Sequence, residues 1–303
     1  MFGLTVAMLL LGYPVAFSLA GTAILFALFG LSMDVFSLSF LGAFPERIYG
    51  IMGNQTLIAI PLFIFMGVML ERSKISEDLL DTMGMLFGKI RGGLGISVCI
   101  VGALLAASTG IVGATVVTMG LISLPAMLKY KYSPSLAAGI VTASGTLGQI
   151  IPPSIILIIL GDVISSAHQQ AQLAMGNFSP TSVSVGDLFV GAIFPGLVLV
   201  SLYIIYIGII ALLKPEMAPA IPAERRKEMS IDGVWIKVLK VMVPPLVLII
   251  GVLGSILTGI ATPTEAASVG CIGGIVLTAL KRQFNLKMLK EVMVTTTHVN
   301  CMV

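Results

Sequence analysis

Long apolar runs broken by glycine and proline, rather than polar and apolar alternation, make up most of the chain. Met1 to Phe29 is one largely apolar run interrupted by Gly12, Tyr13 and Pro14. It predicts either one kinked span or two short ones, since a spanning helix takes about 20 residues. Leu31 to Gly53 is more polar, with Arg47 set against Asp34 and Glu46, which suits the outer face. Asn54 to Leu70 then predicts a span running inward. In Glu71 to Arg91, Leu79, Met83, Leu86, Phe87 and Ile90 recur at helical spacing opposite charged residues. Ser76 stands where a cap is expected, with Glu77 and Asp78 in the first turn. The pattern predicts an amphipathic helix in the membrane interface. Arg72, Lys74, Lys89 and Arg91 put that helix on the cytoplasmic side.

Two glycine-rich polar islands interrupt the apolar pattern that follows. Gly92 to Leu128 is flanked by Lys89 and Arg91 on one side and by Lys129 and Lys131 on the other, so both ends face the cytoplasm. Each of its apolar arms is shorter than a comfortable span. The segment therefore predicts a re-entrant helical hairpin whose tip, STGIVGAT (Ser108 to Thr115), lies near mid-membrane. Ser108, Thr109 and Thr115 offer hydroxyls there, and Gly110 and Gly113 allow close backbone approach. Small residues also serve tight helix packing alone. The second island is SGTLGQIIPPS, Ser144 to Ser154, inside an apolar run opened by Ser133 and Pro134. Pro152 and Pro153 remove backbone donors near the middle of that run, and Gly145 and Gly148 loosen it, predicting a discontinuous helix. Carbonyls around Thr142 to Ile150, with Ser144, Thr146, Gln149 and Ser154, form a candidate site for a hard cation such as sodium. The simpler alternative is a proline kink with its hydroxyls satisfied locally.

Gly161 to Gly186 contains Asp162 and His168 but no Lys or Arg, which places it outside. Asp187 to Leu213 predicts a span back inward, and Lys214 to Asp232, with Arg225, Arg226 and Lys227, a cytoplasmic linker. The pattern then begins again with an apolar run broken at Pro244 and Pro245, a span from about Pro263 to Leu280, and an amphipathic segment. Thr262, Pro263 and Glu265 read as a capping box.

Composition sharpens this into a membrane protein. Hydrophobic residues are 57% and charged residues 10% of the chain, and the mean hydropathy is +1.08. Soluble domains carry roughly 25% charged residues. The net charge of +3 is scattered, which excludes a nucleic-acid surface. Cys99, Cys271 and Cys301 lack metal or disulfide spacing and read as packing residues. His168 has no carboxylate or nucleophile at a useful spacing, so no catalytic residue is assigned and an enzyme is not expected.

The order and spacing of STGIVGAT, SGTLGQIIPPS and TPTEAA resemble the large membrane subunit of tripartite ATP-independent periplasmic (TRAP) transporters, over essentially the whole chain. The resemblance implies an all-α polytopic protein of the inverted-repeat, elevator type. It would be a bacterial inner-membrane, sodium-coupled importer of small carboxylates, working with a small membrane subunit and a periplasmic substrate-binding protein. Beyond sodium as coupling ion, it implies no cofactor. Carried over by residue, the substrate and sodium site comprises Ser108, Thr109, Gly110, Gly113, Thr115, Thr142, Ser144, Gly145, Thr146, Gly148, Gln149, Pro152 and Pro153, with sodium at Ser108, Thr115, Ser144 and Thr146.

The implied division is 1–91, first scaffold spans and arm helix; 92–213, half a transport domain (hairpin 92–128, broken helix 134–161, span 187–213); 214–232, cytoplasmic linker; and 233–303, the start of a second scaffold and arm. A second hairpin is expected beyond Val303, so the frame is expected to be C-terminally truncated. Inversion requires Met1 to Phe29 and Val234 to Leu257 to be two short spans apiece, and it places Lys281, Arg282, Lys287 and Lys290 outside, against the positive-inside tendency. Two alternatives remain: a carboxylate or cation symporter needing no binding protein, and a non-transporting remnant.

Overall fold

Glycine and proline divide this apolar sequence into helices. The computed structural model describes residues 1–109, 112–222 and 234–302, and among these every regular element is helical. In order they are α1 (Phe2–Leu10), α2 (Val15–Ser32), α3 (Ser39–Met52), α4 (Ala59–Arg72), α5 (Ile75–Phe87), α6 (Gly93–Thr109), α7 (Val112–Lys129), α8 (Pro134–Thr146), α9 (Ile155–Ala174), α10 (Val185–Leu213), α11 (Val234–Leu257), α12 (Pro263–Leu280) and α13 (Leu286–Met302). Among the described residues four segments are long and apolar enough to cross a membrane: α2, α10, α12 and residues Val238–Leu257 of α11. The chain is thus an all-helical, polytopic membrane protein.

It forms two compact units, Met1–Gln55 with His298–Val303, and Thr56–Thr297. In the first, Met1 to Phe29 is two helices meeting at the Gly-Tyr-Pro break. The Thr5 and Thr22 hydroxyls join α1 to α2 at 2.9 Å, and Thr5, Ser18 and Thr22 are buried while Leu10 and Phe17 are exposed. Hydroxyls inside and hydrocarbon outside is the arrangement that lipid favours. The stretch read as outer-face sequence contains α3, none of whose residues is buried.

In the second unit, α4 and α12 pack tightly and run parallel. Thr56, ahead of α4, and Pro263, opening α12, line one cavity. Further along, Met66 lies against Gly270 and Met69 against Gly274, and the Cys271 thiol donates to the Leu62 carbonyl at 3.0 Å. At the far end Lys281 pairs with Asp78, and Arg72 with Glu291 at 3.6 Å.

Two expectations about the second half of the chain are corrected. Val234 to Leu257 is one continuous helix in spite of Pro244 and Pro245, not two short spans. Lys281 sits at the α5 end of the unit rather than opposite it, because its ammonium meets the Asp78 carboxylate.

The helix α5 begins at Ile75 with Lys74 as its N-cap, so Ser76 is not the capping residue. Its apolar face is covered by protein: Leu79 and Met83 are buried, and α5 packs on α6 and α11. Burial ends before Ile90, which is exposed. The packing reading of the cysteines holds for Cys99 and Cys271, which are buried, and not for Cys301, which is exposed.

The segment from Gly92 to Lys129 is two helices, α6 and α7, packed side by side, and its two ends meet. Gly92 N–H donates to Ala218 O at 2.9 Å and Ser133 N–H to Met217 O at 3.0 Å, so both ends dock on the turn after α10. The Gly95 N–H also reaches the Tyr132 hydroxyl at 3.4 Å. Burial pushes the pKa of that phenol up, keeping it a neutral partner.

Candidate functional site

The long helix predicted from Ser133 is discontinuous as expected. Serine at the cap and proline at the first position start α8, which passes through a short 3-10 turn, Leu147–Gln149, before the chain opens and restarts as α9. Pro152 and Pro153 have no N–H to give to the carbonyls four residues back, Gly148 and Gln149. The Ser154 hydroxyl compensates in part, donating to Gln149 O at 2.7 Å while accepting from Leu157 N–H at 3.4 Å as the cap of α9. Pro152, Pro153 and Gly148 are buried, and Gln149 is half-buried.

Both hairpin arms press on α8 just before this break. A Cβ on Gly145 would lie 2.5 Å from Val116 Cγ2 and 2.9 Å from Val116 Cα, so only glycine lets α7 approach so closely. On the other arm a Cβ on Gly102 would lie 2.7 Å from Ser144 Cβ. Ser144 is fully buried, its hydroxyl donating to Ile140 O at 2.7 Å, and Thr115, next to Val116, is 2% exposed.

The predicted residues therefore separate into groups. Ser144 and Gly145 face the hairpin arms in the seam between hairpin and broken helix, and Thr115 is buried next to Val116, the residue seated on Gly145. Thr142 and Thr146 lie on the exposed face of α8, their hydroxyls bonded to Ala138 O at 2.9 Å and Ala143 O at 2.8 Å. Gly113 is exposed at the start of α7, with open space around it. Gly110 lies outside the described residues, as do the side chains of Ser108 and Thr109.

Some features escaped sequence reasoning. At the end of the unit where α4 and α12 begin, a polar cavity of about 370 Å³ is lined by Thr56, Asp162, Ser165, Ser182, Ser184 and Thr262 among others. Two capping boxes stand beside it, Thr262 with Glu265 as expected and Ser184 with Asp187, whose S-x-x-D pattern was legible but went unread. Nearer the other end the Thr118 hydroxyl of α7 donates to the Glu71 carboxylate of α4. No local spacing links those two. His168 contacts the Gln172 amide at 2.7 Å and Thr181 at 3.4 Å, helping to fold the loop after α9 back on it.

A hairpin whose two arms seat on a proline-broken helix, inside an apolar helical protein, is an architecture of the kind that membrane transporters use. The chain matches the family described as "Tripartite ATP-independent periplasmic transporter, DctM component" over residues 2–303, and it belongs to that family. It is 33% identical over 274 residues to a C4-dicarboxylate TRAP transporter large permease of Vibrio cholerae, covering 90% of this chain and 53% of the relative. An ectoine TRAP transporter large permease of Halomonas elongata is 28% identical, covering 90% and 57%. A sialic acid TRAP transporter large permease of Vibrio cholerae is 28% identical, covering 98% and 63%. The chain thus spans 53% to 63% of the length of these relatives. The family consists of transporter components, not enzymes, and its place is the bacterial inner membrane.

Proposed function

We propose that the protein supplies the permease part of a sodium-coupled, binding-protein-dependent importer of small organic acids. The observation that carries this reading is the seating of both hairpin arms on the broken helix, Val116 on Gly145 and Gly102 on Ser144. Hydroxyl and carbonyl oxygens are donors suited to a hard cation, and broken helices supply them at depth in the membrane. Thr115 and Ser144 would hold sodium in this seam together with Ser108 at the tip, and the organic acid would bind beside it. Thr146, on the exposed face of α8, is the weakest member of the proposed set.

Residues 92–213 would form half of a transport domain that slides against a scaffold contributed by 1–91 and 233–303, with 214–232 as the linker. If the two halves are inverted repeats, the parallel run of α4 and α12 means that α12 is not the counterpart of α4. Lys281 and Arg282 then fall on the cytoplasmic side with Arg72 and Lys74, as the positive-inside tendency asks. The partners would be a small TRAP membrane subunit and a periplasmic substrate-binding protein. All three relatives described above carry TRAP in their names, which favours this over a symporter that needs no binding protein.

Uptake by the complete permease and its small subunit in proteoliposomes, with and without the binding protein, tests the reading. Uptake should require the binding protein. Undiminished uptake without it would favour the symporter.

A further inference from the structure

Glu71 occupies an unusual place. It lies in the last turn of α4, where the helix end is already negative and a carboxylate is unfavourable. Its neighbour Arg72 turns instead to Glu291, 3.6 Å away. The half-buried Glu71 carboxylate accepts a hydrogen bond from the Thr118 hydroxyl, on the hairpin arm α7. Hydrogen bonds to a charged acceptor are among the stronger ones.

The two ends of this bond belong to differently built parts. The helix α4 is fastened along its length to α12 through Met66, Met69 and the Cys271 thiol. Thr118 lies less than one turn beyond Thr115 and Val116, and Val116 is the residue against Gly145. Because the backbone of Val116 is seated on Gly145, α7 and the broken helix move together, and a movement of residues 92–213 away from α4 breaks the Thr118 bond while leaving that seat intact.

The geometry points to Glu71 and Thr118 as a latch, a pair of positioning residues that fastens the hairpin arm to the α4–α12 pair and is released when the arm moves. This rests on the proposed movement of residues 92–213 against the scaffold. Within the transport cycle the latch holds one position of the hairpin and leaves the other free. Its occupancy sets how the two positions are populated, without Glu71 touching the ion or the organic acid.

Spin labels test the latch on the complete permease in membranes. One replaces Glu77, exposed on α5, and the other Leu121, exposed on α7, with Cys301→Ser removing the exposed native thiol. Thr118→Val removes the hydroxyl and keeps the shape. It should change the ratio of the two distance populations by about fivefold, the size set by one hydrogen bond. Thr118→Ser should restore the parent distribution, and Glu71→Gln, which keeps an acceptor and loses the charge, should shift it less and in the same direction. A distribution left unchanged by both Thr118→Val and Glu71→Gln overturns the latch, even where uptake remains sodium-driven. Shifted distances in a permease whose uptake ignores sodium would support the latch and sink the transport reading instead.

Discussion

Two seams in this protein are built from small residues, and they use them differently. Between α4 and α12, Gly270 and Gly274 leave room for Met66 and Met69, so a side chain fills the space where a Cβ would stand. Between the hairpin and the broken helix, Gly145 leaves room for the backbone of Val116 itself. Side-chain packing of the first kind tolerates adjustment, because methionine is unbranched and can swing. Backbone contact of the second kind fixes two elements against each other. It also occurs just before the break where Pro152 and Pro153 withhold their hydrogen bonds. A small-residue pattern in an apolar helix therefore says little about function until the partner across the seam is known.

The same substitution in both seams tests this contrast. Gly145→Ala should destabilise the solubilised protein toward the upper end of the about 1–3 kcal/mol typical of overpacking, since Val116 Cα would stand 2.9 Å from the new methyl group. Its unfolding midpoint in mixed detergent micelles should drop accordingly, and a midpoint equal to that of the parent would remove the distinction between the seams. Ser154→Ala comes next. It loses both the cap of α9 and the bond to Gln149 O, with an expected cost of about 1–2 kcal/mol in the same measurement. The smallest effect belongs to Gly270→Ala, where the obstacle is Met66 Sδ at 2.6 Å, the movable end of a flexible side chain. A loss below about 1 kcal/mol is expected there, and a larger one would show that the α4–α12 seam is as rigid as the other.

Much of this was legible in the chain. Charges at Lys89, Arg91, Lys129 and Lys131 foretold a hairpin with both ends together, and the docking of Gly92 and Ser133 on the turn after α10 agrees. Adjacent prolines at 152 and 153 marked the break because two consecutive donors are missing. The same logic failed at Pro244 and Pro245, where α11 continues, so a proline pair alone does not decide between kink and break. Thr262 and Glu265 announced their capping box, a local pattern spanning four residues.

What the sequence withheld was long-range. Nothing in the spacing joins Glu71 to Thr118 or Asp78 to Lys281. The parallel run of α4 and α12 depends on how distant helices meet, and it changes which helices can be equivalent. The faces of α8 were likewise unreadable. Thr142, Ser144 and Thr146 look alike in a hydroxyl-rich stretch, yet Ser144 alone of the three turns into the seam.

Sodium dependence of uptake into proteoliposomes, compared among the parent permease, Ser144→Ala, Thr115→Ala and Thr142→Ala, tests the central claim most directly. The account predicts that Ser144→Ala and Thr115→Ala raise the sodium concentration needed for half-maximal uptake by about tenfold or more, the loss of roughly one charge-assisted contact. Thr142→Ala, on the exposed face of α8, should leave it unchanged. Parent-like sodium dependence in both seam variants would contradict a sodium site between the hairpin arm and the broken helix.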